Sequence, residues 1–354
     1  AEHALPRDLL EVWSQRVDQL FEDVGEATAS ALECAATLGG SVNTQEWEAC
    51  TPNLGDVDRA RLLNAMMGQR LAVEDERGWT FAHGMLREVL LARSREAGTH
   101  IQTHLTIAAH LGERPRTPTL ANRIGRHLLE AGQPAAAIEP LLESWIAEYS
   151  LLTTEQMAYR LQSLRRAVAE ADLPESHIMH VELARGEARR LQRLGRMEDA
   201  AGYIERSAEL ADRYNHTELE DLILADQVVN ERMKPRGGRG REVATEMIRS
   251  GKGQKREANG WGLLGWLSLD DGDLNAAAEE GRRSLKMAED LGDVTLMRDA
   301  QEICGVAALS SGHLDHAQKA FESGLRAAKD VQDPYLIGRM LTNLGEVHRM
   351  RGDL

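Results

Sequence analysis

Along most of this chain apolar residues recur three and four positions apart, the spacing that gathers them on one face of a helix. Leu9, Leu10, Trp13, Val17, Leu20 and Phe21 predict an amphipathic first helix, and Ala27 to Leu38 a second one of small residues that ends at Gly39-Gly40. Asn43 or Thr44 can cap a short third helix, and Val57 to Gln69 predict a fourth. The pattern then changes. Leu71-Ala72-Val73-Glu74, a polar turn from Asp75 to Gly78, and Trp79-Thr80-Phe81 predict a short β-hairpin. A further helix starts near His83. Helices followed by a two-stranded wing predict a winged helix over residues 1–97, with the only β structure at about 71–74 and 79–82.

Beyond residue 98 no alternating strand pattern is seen, and a fixed period takes over. Gly265, Gly305 and Gly345 are 40 residues apart, and so are Gly272, Gly312 and Gly352. A repeated period of this length marks one supersecondary unit stacked several times. From Gly265, Trp261 lies four before, the turn glycine Gly272 seven after and Ala277 twelve after, and the same offsets from Gly305 give Gln301, Gly312 and Ala317. Gly125 gives Ala121, Gly132 and Ala137, and Ala188 gives Ala184, Gly195 and Ala200. The pattern resembles the tetratricopeptide repeat in its longer form. It is clear for the last three units and for 181–211, and is carried only by helical periodicity over 141–172 and 221–250. The expected fold is all-α: a right-handed superhelix of about six tetratricopeptide-like units over 98–354, the last one truncated, preceded by a small winged-helix domain. Gly265, Gly305 and Gly345 are expected to be buried where two helices touch.

The resemblance implies that the first helix of each unit lines a concave groove that takes a protein or peptide. The groove positions are then Asn259, Trp266 and Leu269 in one unit, Glu302, Val306 and Leu309 in the next, and Thr342, Glu346 and Arg349 in the last. In the 181–194 helix they are Arg185, Arg189 and Arg193, a single stripe at a spacing of four. That stripe suits an acidic partner. It equally suits a face paired with the neighbouring Glu182 and Glu187.

The composition agrees with packed helices: of 354 residues only 4% are aromatic, and the formal charge is -15. Such a chain is repelled by nucleic acid and anionic lipid except through a local basic patch. One basic stretch exists. From Arg232 to Arg256 nine Lys or Arg face two acids, which reads as a solvated inter-helix loop or as an anion site. Within it, Ser250-Gly251-Lys252-Gly253 lacks the leading glycine, the following Ser or Thr and the preceding strand of a phosphate loop. In residues 1–98 nine Lys or Arg stand against seventeen Asp or Glu. The helix that would enter a DNA groove, Val57 to Gln69, has Asp58, Arg59 and Arg61 as its only charges. That balance argues against DNA.

Trp79-Thr80-Phe81-Ala82-His83-Gly84-Met85-Leu86-Arg87-Glu88 is similar to the Phe-x-His-x-Leu-x-Arg-Glu signature of signal-transduction ATPases with numerous domains, among them the MalT-like regulators and the kinase- or cyclase-associated AAA ATPases. Their order is nucleotide-binding domain, winged helix, repeats. Gly125-Arg126-His127-Leu128-Leu129-Glu130-Ala131-Gly132 and Leu5-Pro6 also look like theirs. The resemblance implies an upstream nucleotide-binding domain as a partner, with ATP or ADP and Mg²⁺ in a longer parent protein and no cofactor in this part. It also implies that His83 senses the nucleotide. The residue after that histidine is usually Asp in such proteins and is Gly84 here.

Other chemistry is sparse. Cys34, Cys50 and Cys304 form no metal spacing and no disulfide framework, which fits a reducing cytosol. His100 and His104 lie four apart with no acid between them as in a zinc hydrolase. No apolar run reaches membrane-spanning length. A chain that starts at Ala1 and stops in a repeat turn is expected to be part of a longer one. The sequence therefore points to a cytoplasmic, non-catalytic regulatory arm that binds a protein in its repeat groove. A plain interaction or oligomerisation scaffold and a part of a MalT-like transcription activator are the alternatives.

Overall fold

Most of the described residues are helical, from Arg7 onward. The computed structural model of the chain describes residues 7–25, 28–149, 151–232, 239–330 and 334–353, the side chains of 7–10 and 334–336 excepted. Two compact units result, residues 1–149 with 163–172 and residues 150–162 with 173–354.

The first unit begins with α1 (Arg7–Val24) and α2 (Ala29–Leu38). Strand β1 (Ser41–Asn43), α3 (Thr44–Cys50), α4 (Asp56–Gly68), β2 (Ala72–Asp75), β3 (Gly78–Phe81) and α5 (Gly84–Glu96) follow. The Asn43 side chain caps α3, accepting from the Glu46 amide at 3.1 Å. The hairpin lies where the sequence puts it, but β1 is an addition. It pairs antiparallel with β3, so the sheet order is β1-β3-β2. Three residues are too few to show alternation in a sequence, and β1 exists because Gly78 to Thr80 offer it an open edge.

Trp47, Trp79 and Phe81 pack edge to face at the centre of this unit, and the Trp47 indole donates to the Ala31 carbonyl at 2.7 Å. The core does not stop at residue 97. Helices α6 (His100–Gly112) and α7 (Pro118–Glu130) contribute Ile107, Leu111, Leu120 and Ile124 to the same buried cluster. Glu46 of α3 is gripped by Arg114 and, at 2.6 Å, by Arg123. The unit goes on through α8 (Pro134–Glu148) to Tyr149. Next comes α9 (Thr154–Glu170), which with the end of α8 covers the stretch 141–172.

The second unit is a series of helix pairs: α10 (Ile178–Arg193) with α11 (Met197–Tyr214), α12 (Glu220–Arg232) with α13 (Gly240–Ser250), α14 (Lys255–Asp270) with α15 (Leu274–Leu291), α16 (Val294–Ser310) with α17 (Leu314–Asp330), and finally α18 (Pro334–Arg351). Each helix packs on the next, giving an all-α repeat superhelix of tetratricopeptide-like pairs. The turn glycines that set the period, Gly132, Gly195, Gly272, Gly312 and Gly352, all have φ between 70° and 79°. Glycine enters that left-handed region without a Cβ penalty. At Gly305 the reason for glycine is space, since a Cβ there would lie 2.4 Å from the Phe321 ring. Gly265 is buried in the same way against Ile303. Gly345 is not. It is exposed on α18, and nothing lies within 4 Å of the place its Cβ would take, because no helix packs over that face.

Candidate partner-binding layer of the repeats

Within the second unit the first helices of successive pairs touch each other: α10 meets α12, α12 meets α14, α14 meets α16, and α16 meets α18. Among the described residues no second helix packs comparably on the next second helix. The first helices are therefore the closer-set row, and the curve of the superhelix runs with them on its inner side. This row contains every groove position expected from the sequence.

Several of those positions face a neighbouring helix. Arg185 is 2% exposed, and its guanidinium reaches Glu182 of its own helix and Asp226 of α12, both at 2.9 Å. Arg189 donates to the other Asp226 oxygen at 3.0 Å, and the Gln192 amide reaches the Asp226 carbonyl at 3.0 Å. One step along, Arg232 of α12 holds Asp270 of α14 through two bonds and lies over the Trp266 ring, 5.2 Å from its centre. At the far end Glu302 of α16, 4% exposed, is gripped through both oxygens by Arg339 of α18. Between these, Lys255 at the start of α14 pairs at 2.6 Å with Asp293, the cap of α16. Burial would raise the Asp293 carboxyl, but Lys255 and the backbone amides of Leu296 and Thr295 hold it below its ordinary range.

The arginine stripe is thus divided. Arg185 is closed off inside the protein and cannot meet a partner. Arg189 is half-buried on Asp226, and Arg193 is exposed while donating to the Leu152 carbonyl at 2.6 Å. Asn259, Trp266 and Leu269 are half-buried on α14. Arg349 is exposed beside Glu346 on α18. The residues that sequence reasoning missed are the opposite charges of the ladder: Asp226, Arg232, Asp270 and Arg339. Their separations carry a signal. Arg185 to Asp226, Arg232 to Asp270 and Glu302 to Arg339 span 41, 38 and 37 residues, about one repeat each time.

Several described residues of the basic stretch are also ion-paired. Residues 233–238 lie outside the described residues. Of the rest, Arg241 pairs with Asp271, Arg249 with Glu246 and Arg256 with Glu220 and Asp221.

In the first unit His83 is exposed at the start of α5, its ring 5.0 Å from that of Trp13. His104 turns to His127 rather than to His100, with the Nδ1 atoms 2.9 Å apart. Burial drives both imidazoles down, His104 to about 4 and His127 to about 3, so both are neutral near pH 7. Among the described residues no group of three or more His, Cys, Asp or Glu is placed to hold a metal, and no helix is long and apolar enough to cross a membrane.

No family model matches this chain, and no curated protein matches it. Among solved structures it is similar to a signal-transduction ATPase with numerous domains that carries a tetratricopeptide repeat sensor, from Pyrococcus horikoshii. The identity is 13% and the TM-score 0.45, over 97% of this chain and 56% of that one. The chain thus spans little more than half the length of that protein. It is also similar to aspartyl phosphate phosphatase F from Bacillus subtilis, at 10% identity and TM-score 0.35 over 97% of this chain and 80% of that one. Similarity to a circular tandem repeat protein is weaker, at 16% identity and TM-score 0.20 over 97% and 96% of the two chains.

Proposed function

We propose that this chain is the regulatory arm of a signal-transduction ATPase, in which the inner row of repeat helices binds a protein partner. One observation carries the proposal. The first helices form a continuous row whose ion pairs fix its spacing, and Arg193, Asn259, Trp266, Leu269 and Arg349 remain accessible along it. A rigid row with a few exposed or half-exposed arginine and aromatic side chains is the kind of surface on which binding hot spots concentrate. The chain has no catalytic step of its own in this reading.

The helix–strand–helix–helix–hairpin order of α2, β1, α3, α4, β2 and β3 supports a winged helix at the head of the first unit. In the proposed parent protein it sits against an upstream nucleotide domain, to which His83, exposed at the start of α5, is presented. The exposed face of α4 includes Asp56 and Asp58, which favours a protein neighbour over DNA. A plain scaffold role shares the same surface and differs only in having no switch.

The test is selection of displayed random peptides on the chain, followed by titration of the tightest binder. Leu269→Ala and Arg193→Glu are expected to weaken it about tenfold or more, each losing at least ~1.4 kcal/mol. Lys319→Ala, on the second helix α17, is expected to leave it unchanged. Binding that ignores both inner-row variants would refute the proposal.

A further inference from the structure

Of the three cysteines, two meet. Cys34 near the middle of α2 and Cys50 at the end of α3 come together at the wall of one cavity of about 330 Å³. Both are nearly buried, at 5% and 8% exposure, and the cavity is where they are reached. Its other walls include Ser30, Thr51, Gln102 and Thr103, so a small polar molecule is not excluded by an apolar lining. A metal is a poor occupant. Two sulfurs fall short of the four ligands of a structural zinc site, and no third metal-ligating group joins them among the described residues.

We propose that Cys34 and Cys50 are a redox-modifiable dithiol, oxidised to an intramolecular disulfide by hydrogen peroxide that enters this cavity. Cys50 is the attacking thiol. The neighbouring Cys34 thiol holds Cys50 below the ordinary thiol range, while Cys50 and burial raise Cys34. Burial and the carboxylate of Glu46 oppose the effect on Cys50, and Arg123 assists it. The Cys50 sulfur attacks one peroxide oxygen, the O–O bond breaks, and the released oxygen leaves as water, giving a sulfenic acid on Cys50. The Cys34 sulfur then attacks the Cys50 sulfur. The S–O bond breaks and a second water departs with the Cys34 proton. Two thiols lose two electrons, and hydrogen peroxide gains them. The product would tie α2, across β1, to α3, which also holds the Glu46 ion pairs. Cys304 serves as an internal control, because burial pushes its thiol up to about 11.

The experiment treats the folded chain with hydrogen peroxide, alkylates remaining thiols after unfolding, and maps the peptides without reduction. The expected result is a Cys34–Cys50 linked peptide with Cys304 alkylated. Cys34→Ser should leave a Cys50 sulfenic acid that dimedone traps, and Cys50→Ser should leave Cys34 unoxidised. Full alkylation of Cys34 and Cys50, oxidation confined to Cys304, or linkage only between chains would overturn the proposal. Should either serine variant lose its helical circular dichroism, the wild-type peptide map alone decides.

Discussion

Arg185 Nε lies 2.9 Å from Asp226 Oδ2, and both side chains are more than nine-tenths buried. The contact joins the first helices of two successive repeats. A buried ion pair costs desolvation on both sides, and breaking one partner leaves a stranded charge. Asp226→Ala should therefore destabilise the chain by roughly 3–5 kcal/mol. The double variant Arg185→Leu, Asp226→Leu should recover only part of that loss, since Glu182 and Arg189 then each lose a partner. Urea unfolding of the three chains separates the outcomes. Equal stability of Asp226→Ala and wild type would show that the pair is not the fastening described.

Gly305 and Gly345 occupy the same repeat position and should respond in opposite ways. Gly305→Leu drives a side chain into the Phe321 ring and should cost about 1–3 kcal/mol or more. Gly345→Ala meets open space and should be neutral or stabilise by up to about 1 kcal/mol through helix propensity. Thermal melts of both variants check the pair of expectations.

Stability should fall on mild acidification because of His104 and His127. Their folded pKa values, about 4 and about 3, lie below the ordinary 6.5. The unfolded chain thus takes up protons first, and the stabilisation present above pH 6.5 is lost as pH drops toward 4. For the buried His127 the slope approaches about 1.4 kcal/mol per pH unit, and it is smaller for the half-buried His104, which water screens. Denaturant unfolding at pH 7 and pH 5 measures it. His104→Leu with His127→Leu should flatten that part of the profile, and an unchanged slope would contradict the assignment.

What the sequence made legible followed from local rules. The period of 40, the turn glycines and the alanine offsets depend on close helix approach and positive φ, and these leave marks in a single chain. The hairpin was readable because Trp79 and Phe81 alternate with polar neighbours. The short edge β1 was not, since its pairing is decided by β3, some 37 residues on. Nor did residue 97 mark the edge of the first core, because Ile107 and Leu111 of a helix that reads as part of the repeats pack into it. At the inner row the sequence identified the helices and misjudged the side chains. The pairing of Arg185 with Glu182 was among the readings the sequence offered, whereas its bond to Asp226, one repeat away, was not legible.

The central claim is that the inner row receives the partner. The direct measurement is photo-crosslinking of a selected peptide, carrying a photoreactive group, to the folded chain, with attachment sites read by mass spectrometry. The account predicts attachment on α12, α14 and α16, near Trp266 and Leu269. Attachment confined to α11, α13, α15 and α17 would contradict it.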